Sequence, residues 1–307
     1  MAASSSVESL AEQIVDAMRA LAGPHPGYRP VHAKGVVCTG TFIATEKAQR
    51  VCRASHFDGK PVAATIRFAN ADGNPKVHDG LPNVRSLSVK FTPAKGGKTD
   101  ILANSIEGFA VRTPEDLLEF LRARLPDPAD PAAVPRFLES HPAARAYVEW
   151  LAQKPVPASY AQATYHAAHA FRFTSADGES RFGRYRWIPD AGEEFLTPEQ
   201  AGKRNHDFLL EELTARLGKG PVSFRLNLQI AERGDPTDDA TALWPVDRAR
   251  VELGRLQIDA ISPTSAADER GLVFDPTNLT DGIELSADPL PRMRSAAYSV
   301  SYEQRSK

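Results

Sequence analysis

Apolar residues recur at helical spacing at the start of the chain. Val7, Leu10, Ile14, Met18 and Leu21 fall every three or four positions, with Glu8, Glu12 and Asp16 between them. That period predicts an amphipathic helix lying on the protein body, and the acids interrupt the apolar core a secretory leader needs. Pro24, Pro26 and Pro30 then mark an extended lead-in. Beyond them the pattern shifts to β-branched runs broken by Gly, Pro and Asp: HAKGVVCTGTFIA (residues 32–44), VAATIRFANA (62–71) and VRSLSVKFTP (84–93), the last leading into KTDILAN (98–104). These predict antiparallel strands.

Helical periodicity returns with RTPEDLLEFLRARL, where Thr113 is placed to cap and Pro114 to occupy the first helical position. A Pro- and Ala-rich stretch over residues 126–157 carries a second helix around AARAYVEWLAQ. A second β set follows: HAAHAFRFT and RFGRYRWIP as a hairpin turning at Asp177 and Gly178, then VSFRLNLQIAE and RVELGRLQIDAI. A helical tail begins near Pro291. The order describes an α+β chain whose strands, about eight in number, suffice to close as an antiparallel barrel. We expect a single domain over residues 1–307: a helical arm and lead-in over 1–27, a barrel over 28–290 with a helical insertion near 113–157, and a tail helix over 291–307.

Composition narrows the class. The 307 residues are 42% hydrophobic and 25% charged, with a formal net charge of −2 and no long block of like charge. A nucleic-acid or membrane-surface partner is therefore not expected, and no apolar run approaches the ~18 residues of a membrane span. Cys38 and Cys52 form no metal-spaced pattern and read as reduced core thiols of a cytosolic protein. His166 and His169, taken as parts of one strand, would point to opposite faces and play structural or surface roles. Trp187 and Trp244 read as core or barrel-rim aromatics, and GKGP at residues 218–221 as a turn.

Two clusters remain unexplained by packing. Arg29, His32 and Lys34 stand at the mouth of a run that ought to be buried, and buried cations require a partner. In the tail, Arg294, Tyr298, Tyr302 and Arg305 share one helical face at ~100° per residue, while Arg292 points away. An Arg one turn before a Tyr sets a positive charge beside the phenol and favours the phenolate, a hard anionic ligand known to bind ferric haem. From the spacing alone, the simpler account is a surface stripe.

The residues resemble the haem catalases. RPVHAKG (29–35) is similar to that family's distal motif and RSAAY (294–298) to its proximal Arg-x-x-x-Tyr motif. Between them, in order, TIRFANADG, VRSLSVKF, TDILANS with FAVRTP, and FDPTNLTDGIE resemble further family segments, from about Tyr28 to Arg305. The resemblance implies a catalase-like barrel holding haem b. Tyr298 would be the axial iron ligand, held as phenolate by Arg294, with Arg29, Arg67 and Arg305 on the propionates and Phe109 as a further cofactor contact. His32 would shuttle the peroxide proton, with Asn104 or Ser105 facing the peroxide.

Three departures from the pattern shape the expected activity. Ser105 stands where the family has its distal Asn, although Asn104 directly precedes it. Ala69 replaces a Ser that hydrogen-bonds the distal His, leaving Asn70 or a backbone carbonyl to fix the imidazole. The chain stops just after Arg305, so the family's wrapping segment and much of its tetramer surface are not expected. A minimal catalase-related peroxidase is the implied function: reduction of hydrogen peroxide or an organic hydroperoxide by a small organic donor, with weak catalase activity, in a monomer or homodimer. Rearrangement of fatty-acid hydroperoxides on the same fold, and a non-enzymatic haem-binding barrel, are the alternatives.

Overall fold

The computed structural model describes residues 2–306, with side-chain surroundings from residue 7 onward. Eight strands form the barrel: β1 (Gly35–Ala44), β2 (Val62–Asn70), β3 (Arg85–Thr92), β4 (Thr99–Asn104), β5 (Tyr165–His166), β6 (Ser180–Pro189), β7 (Val222–Ile230) and β8 (Arg250–Ile261). Each pairs antiparallel with the next, and β8 returns to β1. Closure leaves no long barrel edge unpaired.

Side chains alternate across each strand, so period-two patterning decides what faces inward. Ala64, Ile66 and Phe68 of β2, Leu87, Val89 and Phe91 of β3, and Ile101 and Ala103 of β4 fill the interior. Phe42 packs edge-on against Phe91 and Trp187, at centroid distances of 5.1 and 6.3 Å. Burying each such ring contributes roughly 1.5–3 kcal/mol. The intervening residues therefore point outward. Register aligns Arg67 with Ser88 and Leu102, and Ala69 with Ser86 and Asn104. One patch of barrel wall thus carries every polar group of the site that comes from the sheet.

Helices α1 (Ala2–Ala22), α2 (Pro114–Ala123), α5 (Ser265–Gly271) and α6 (Leu290–Ser306) lie about that patch, and α3 (Ala133–Ser140) and α4 (Pro142–Gln153) pack in series beyond α2. Thr113 Oγ1 accepts the Asp116 N–H at 3.1 Å and Pro114 opens α2, the cap the sequence predicts. Ile14 and Val15 of α1, Leu117 and Leu118 of α2, and Met293 and Ala297 of α6 form a second core outside the barrel. No helix among the described residues is long and apolar enough to cross a membrane.

The strand predicted over residues 166–174 is not continuous. It breaks between Tyr165–His166 and Phe171–Thr174. Ala168 leaves the barrel wall to pack with Ala240 and Leu290, and His169 is buried alongside. Both cysteines are free and buried; burial pushes the Cys38 thiol up to about 12 and the Cys52 thiol to about 11. Trp187 lies inside the barrel, while Trp244 stacks under Arg184 at 4.4 Å.

Candidate functional site

A cavity of about 220 Å³ lies between the outward face of β2–β4 and helix α6. The barrel lends it Arg67, Ser86, Ser88, Leu102 and Asn104; α6 lends Met293, Arg294, Ala297, Tyr298, Ser301 and Arg305. Arg29 and His32 enter from the segment before β1, Phe109 from the loop before α2, and Ile14, Val15 and Met18 from α1. His32 and Tyr298, 266 positions apart in the sequence, thus line one space.

The segment before β1 is held in an unusual shape. His32 has φ of 59°, the one non-glycine residue with positive φ among those described. Such a conformation costs about 1–3 kcal/mol and needs outside support. Nη2 of Arg67 supplies it, donating to the His32 carbonyl at 2.7 Å. Gly35 makes room for that arginine: a Cβ there would stand 2.5 Å from Arg67 Nη2 and 2.7 Å from the Phe68 carbonyl oxygen. The glycine of HAKG is thus required by close approach of the next strand.

His32 is half-buried in the cavity wall, and its Nδ1, shielded from solvent, has no hydrogen-bond partner among the described residues. Burial, then the charges of Arg67, Arg294 and Arg29, lower its pKa to about 3, so the imidazole is neutral at physiological pH. Asn70 does not reach it. The Asn70 amide donates to Asp79 at 2.7 Å and its carbonyl accepts from Tyr160. Lys34 also turns elsewhere, to Asp79 and Asp207 at 2.6 and 2.7 Å.

Three guanidinium groups meet at one edge of the cavity. Arg67 forks onto Glu269 through Nε and Nη2, at 2.8 and 2.7 Å. Arg29 donates to Glu269 at 2.9 Å and to the Leu272 carbonyl at 2.6 Å. Arg305 donates to the carbonyls of Arg270 and Leu272, both at 3.2 Å. Burial and the neighbouring Arg67 charge lower the Arg29 pKa to about 9, with Glu269 opposing.

On the opposite wall, Nε and Nη2 of Arg294 donate to the Tyr298 phenol oxygen at 3.0 and 2.8 Å. Nη1 of the same arginine lies 2.8 Å from His169 Nε2, and His169 Nδ1 lies 2.7 Å from Asp288 Oδ2. Arginine can only donate, so His169 Nε2 accepts and its proton resides on Nδ1, donated to Asp288. Burial keeps this imidazole neutral. The other Asp288 oxygen accepts the Leu290 N–H at 2.9 Å, at the start of α6. One carboxylate therefore anchors both the helix carrying Tyr298 and the chain of bonds ending on its phenol.

His169 and Asp288 escape sequence reading. The sequence pattern puts His169 on a strand in a structural or surface role, but the strand is broken there and its side chain faces Arg294. A lone His among alanines and an Asp before a helical Pro-Leu-Pro carry no spacing that links them. Ser105, a candidate for facing the peroxide, does not line the cavity; its hydroxyl accepts the Arg85 N–H at 2.9 Å. Asn104, two positions along β4 from Leu102, shares the outward face and does line it. Tyr302 shares a helical stripe with Tyr298 but lies exposed under Arg305.

The residues fit a haem. The cradle carries three guanidinium charges against one carboxylate, an excess suited to two propionates. The walls between are largely apolar, the phenol oxygen of Tyr298 is oriented by two donors, and His32 offers a neutral ring with a free nitrogen. Among the described residues no group of three His, Cys, Asp or Glu could hold a bare metal ion.

The chain is 41% identical to a catalase-related peroxidase of Mycolicibacterium paratuberculosis, over 96% of this chain and 94% of that protein. It is 33% identical to a catalase-related peroxidase of Synechococcus elongatus, over 96% and 88%. In fold it resembles a fungal catalase, with a TM-score of 0.82 at 24% identity over 92% of this chain and 60% of that one. It also resembles catalase A of Saccharomyces cerevisiae, with a TM-score of 0.81 at 22% identity over 92% and 62%. The chain thus spans about three fifths of the length of those solved catalases. The catalase family model matches residues 14–306, and with the barrel, the arginine cradle and the Arg-held tyrosine in place, this chain belongs to the catalase family.

Proposed function

We propose that the protein is a haem b-dependent peroxidase that reduces hydrogen peroxide or an organic hydroperoxide with electrons from a small organic donor, and dismutates peroxide only weakly. The observation that carries this reading is the shared cavity: His32 and an Arg294-held Tyr298 line it, with three arginines at one edge. Membership of the catalase family and the likeness to two catalase-related peroxidases support an oxidoreductase acting on peroxide.

Tyr298 would hold the haem iron, Arg29, Arg67 and Arg305 its propionates, and Phe109 one of its apolar faces. The haem supplies the redox chemistry toward peroxide; the protein supplies orientation and electrostatics. Two N–H groups aimed at the Tyr298 oxygen orient it toward the cavity and would support its role as the iron ligand. The His169–Asp288 pair keeps Arg294 from swinging away. On the other side, neutral His32 takes a proton from one peroxide oxygen and delivers it to the oxygen that leaves as water. The Asn104 amide, which lines the cavity, would hold the peroxide.

Support for peroxidase over catalase turnover comes from His32 itself. With Ala69 offering no hydroxyl and Asn70 engaged elsewhere, the ring has no partner on Nδ1 to fix its tautomer. Dismutation needs a second peroxide ordered against that ring, whereas an organic donor only has to deliver electrons. Comparing oxygen release from peroxide with oxidation of a dye donor tests this, and vigorous oxygen release as the main reaction contradicts it. The absorption spectrum of the purified protein beside that of Tyr298→Phe tests cofactor and ligand together. Our reading has the enzyme acting in the cytosol as a monomer or homodimer, which size-exclusion chromatography with light scattering checks for the assembly.

A further inference from the structure

Glu269 has no part in the roles above, yet it is the one carboxylate in the arginine cradle. It sits on α5, which packs against β1 and α6. Its oxygens receive Nε and Nη2 of Arg67 and Nη1 of Arg29, and its side chain is 17% exposed. The resulting geometry leaves donors free. Among the described residues, neither Nη1 of Arg67 nor Nε of Arg29 has a partner, so both guanidinium groups can serve Glu269 and a bound carboxylate together.

Charge points the same way. With Glu269 present, the cradle of Arg29, Arg67 and Arg305 carries two positive charges in excess, which a dicarboxylate neutralises. Without it the excess is three, and two neighbouring guanidinium groups face each other with no bridge. The effect also reaches the distal side, because the Arg67 Nη2 that bonds Glu269 also holds the His32 carbonyl.

We propose that Glu269 is a positioning residue of the cofactor site. It is a resident counter-ion that fixes Arg29 and Arg67 in one geometry, matches the cradle's charge to a dipropionate and, through Arg67, sustains the backbone of His32. This rests on the haem reading above.

The test uses wild type, Glu269→Gln, Glu269→Asp and, as a control, Glu284→Gln, which breaks an exposed pair with Arg172. Each is purified with haem and followed in two ways besides activity: the rate of haem transfer to excess haem-scavenging globin, and the ferric/ferrous midpoint potential. Glu269→Gln should lose haem about tenfold faster and show a more positive midpoint, since a negative charge near the iron is gone. Glu269→Asp, which keeps the charge on a shorter stem, should keep a near-native midpoint with intermediate haem loss. Glu284→Gln should match wild type in both. A Glu269→Gln protein with unchanged midpoint and haem-loss rate would overturn the proposal. So would slower haem loss, which would mean the carboxylate competes with the propionates. Wild type that takes up no haem would instead sink the haem reading, and this proposal with it.

Discussion

Arg294 aims two N–H groups at the phenol oxygen of Tyr298, at 3.0 and 2.8 Å, one helical turn further along α6. The spacing makes the contact possible; His169 and Asp288 make it stiff. Arg294→Ala removes both donors while leaving Tyr298 in the cavity. Haem retention or peroxidase turnover should fall about 10–100-fold, with an altered visible spectrum. A native spectrum and native turnover would show that the pair has no bearing on the ligand.

His169→Phe keeps the bulk of the ring but removes the acceptor for Arg294 Nη1. The guanidinium then has one unsatisfied donor beside a buried wall, and Asp288 loses its imidazole partner. Turnover should drop about tenfold, less than for Arg294→Ala, because both bonds to the phenol remain. Steady-state rates normalised to haem content decide it. A larger loss in His169→Phe would mean the orienting group matters more than the donors.

His32→Gln retains a polar side chain of similar reach but cannot carry a proton back and forth. Peroxide reduction should slow by about 10²–10⁴-fold, with haem content unchanged. Stopped-flow mixing with peroxide measures the step directly. Haem loss in the variant would place His32 among the cofactor's anchors instead.

Gly35→Ala places a methyl 2.5 Å from Arg67 Nη2 and 2.7 Å from the Phe68 carbonyl oxygen. The side chain could move but the backbone oxygen cannot. Stability should fall by about 1–3 kcal/mol, and displacement of Arg67 should also loosen haem. Urea unfolding and haem transfer to a scavenger read the two effects separately. A variant as stable as wild type would show the barrel yielding where it is drawn tight.

His56 lies inside the barrel, 4.0 and 4.9 Å from the rings of Phe57 and Phe91, with neither ring nitrogen bonded. Burial lowers its pKa to about 3, against about 6.5 in the unfolded chain. Between those values the unfolded chain binds a proton that the folded protein refuses. Stability is therefore undiminished above about pH 6.5 and lost progressively as pH falls toward 3. His56→Phe keeps the stacking and removes that proton, so its advantage over wild type should grow from pH 7 to pH 4. An acid limb remains from His32 and His166, also lowered to about 3. A constant difference across pH would contradict the assignment.

From the sequence alone, most of the barrel strands and several of the residues that line the cavity are legible. Period-two runs set the barrel's two faces, so Arg67 and Ala69 were legible as neighbours on one face before any partner was known. The spacing from Arg294 to Tyr298 is local to one helix turn, and locality is what a linear pattern preserves. Tertiary structure decided the rest. Asn104 and Ser105 are adjacent in sequence, yet only the register of β4 against β3 sends one into the cavity and the other to Arg85. His169 became a partner of Arg294 because its strand breaks beside the start of α6. Glu269 joined two arginines more than 200 positions away through the docking of α5 on β1. Each depends on distances fixed by closure of the barrel and packing of helices on its wall, and a sequence carries no such distances along its length.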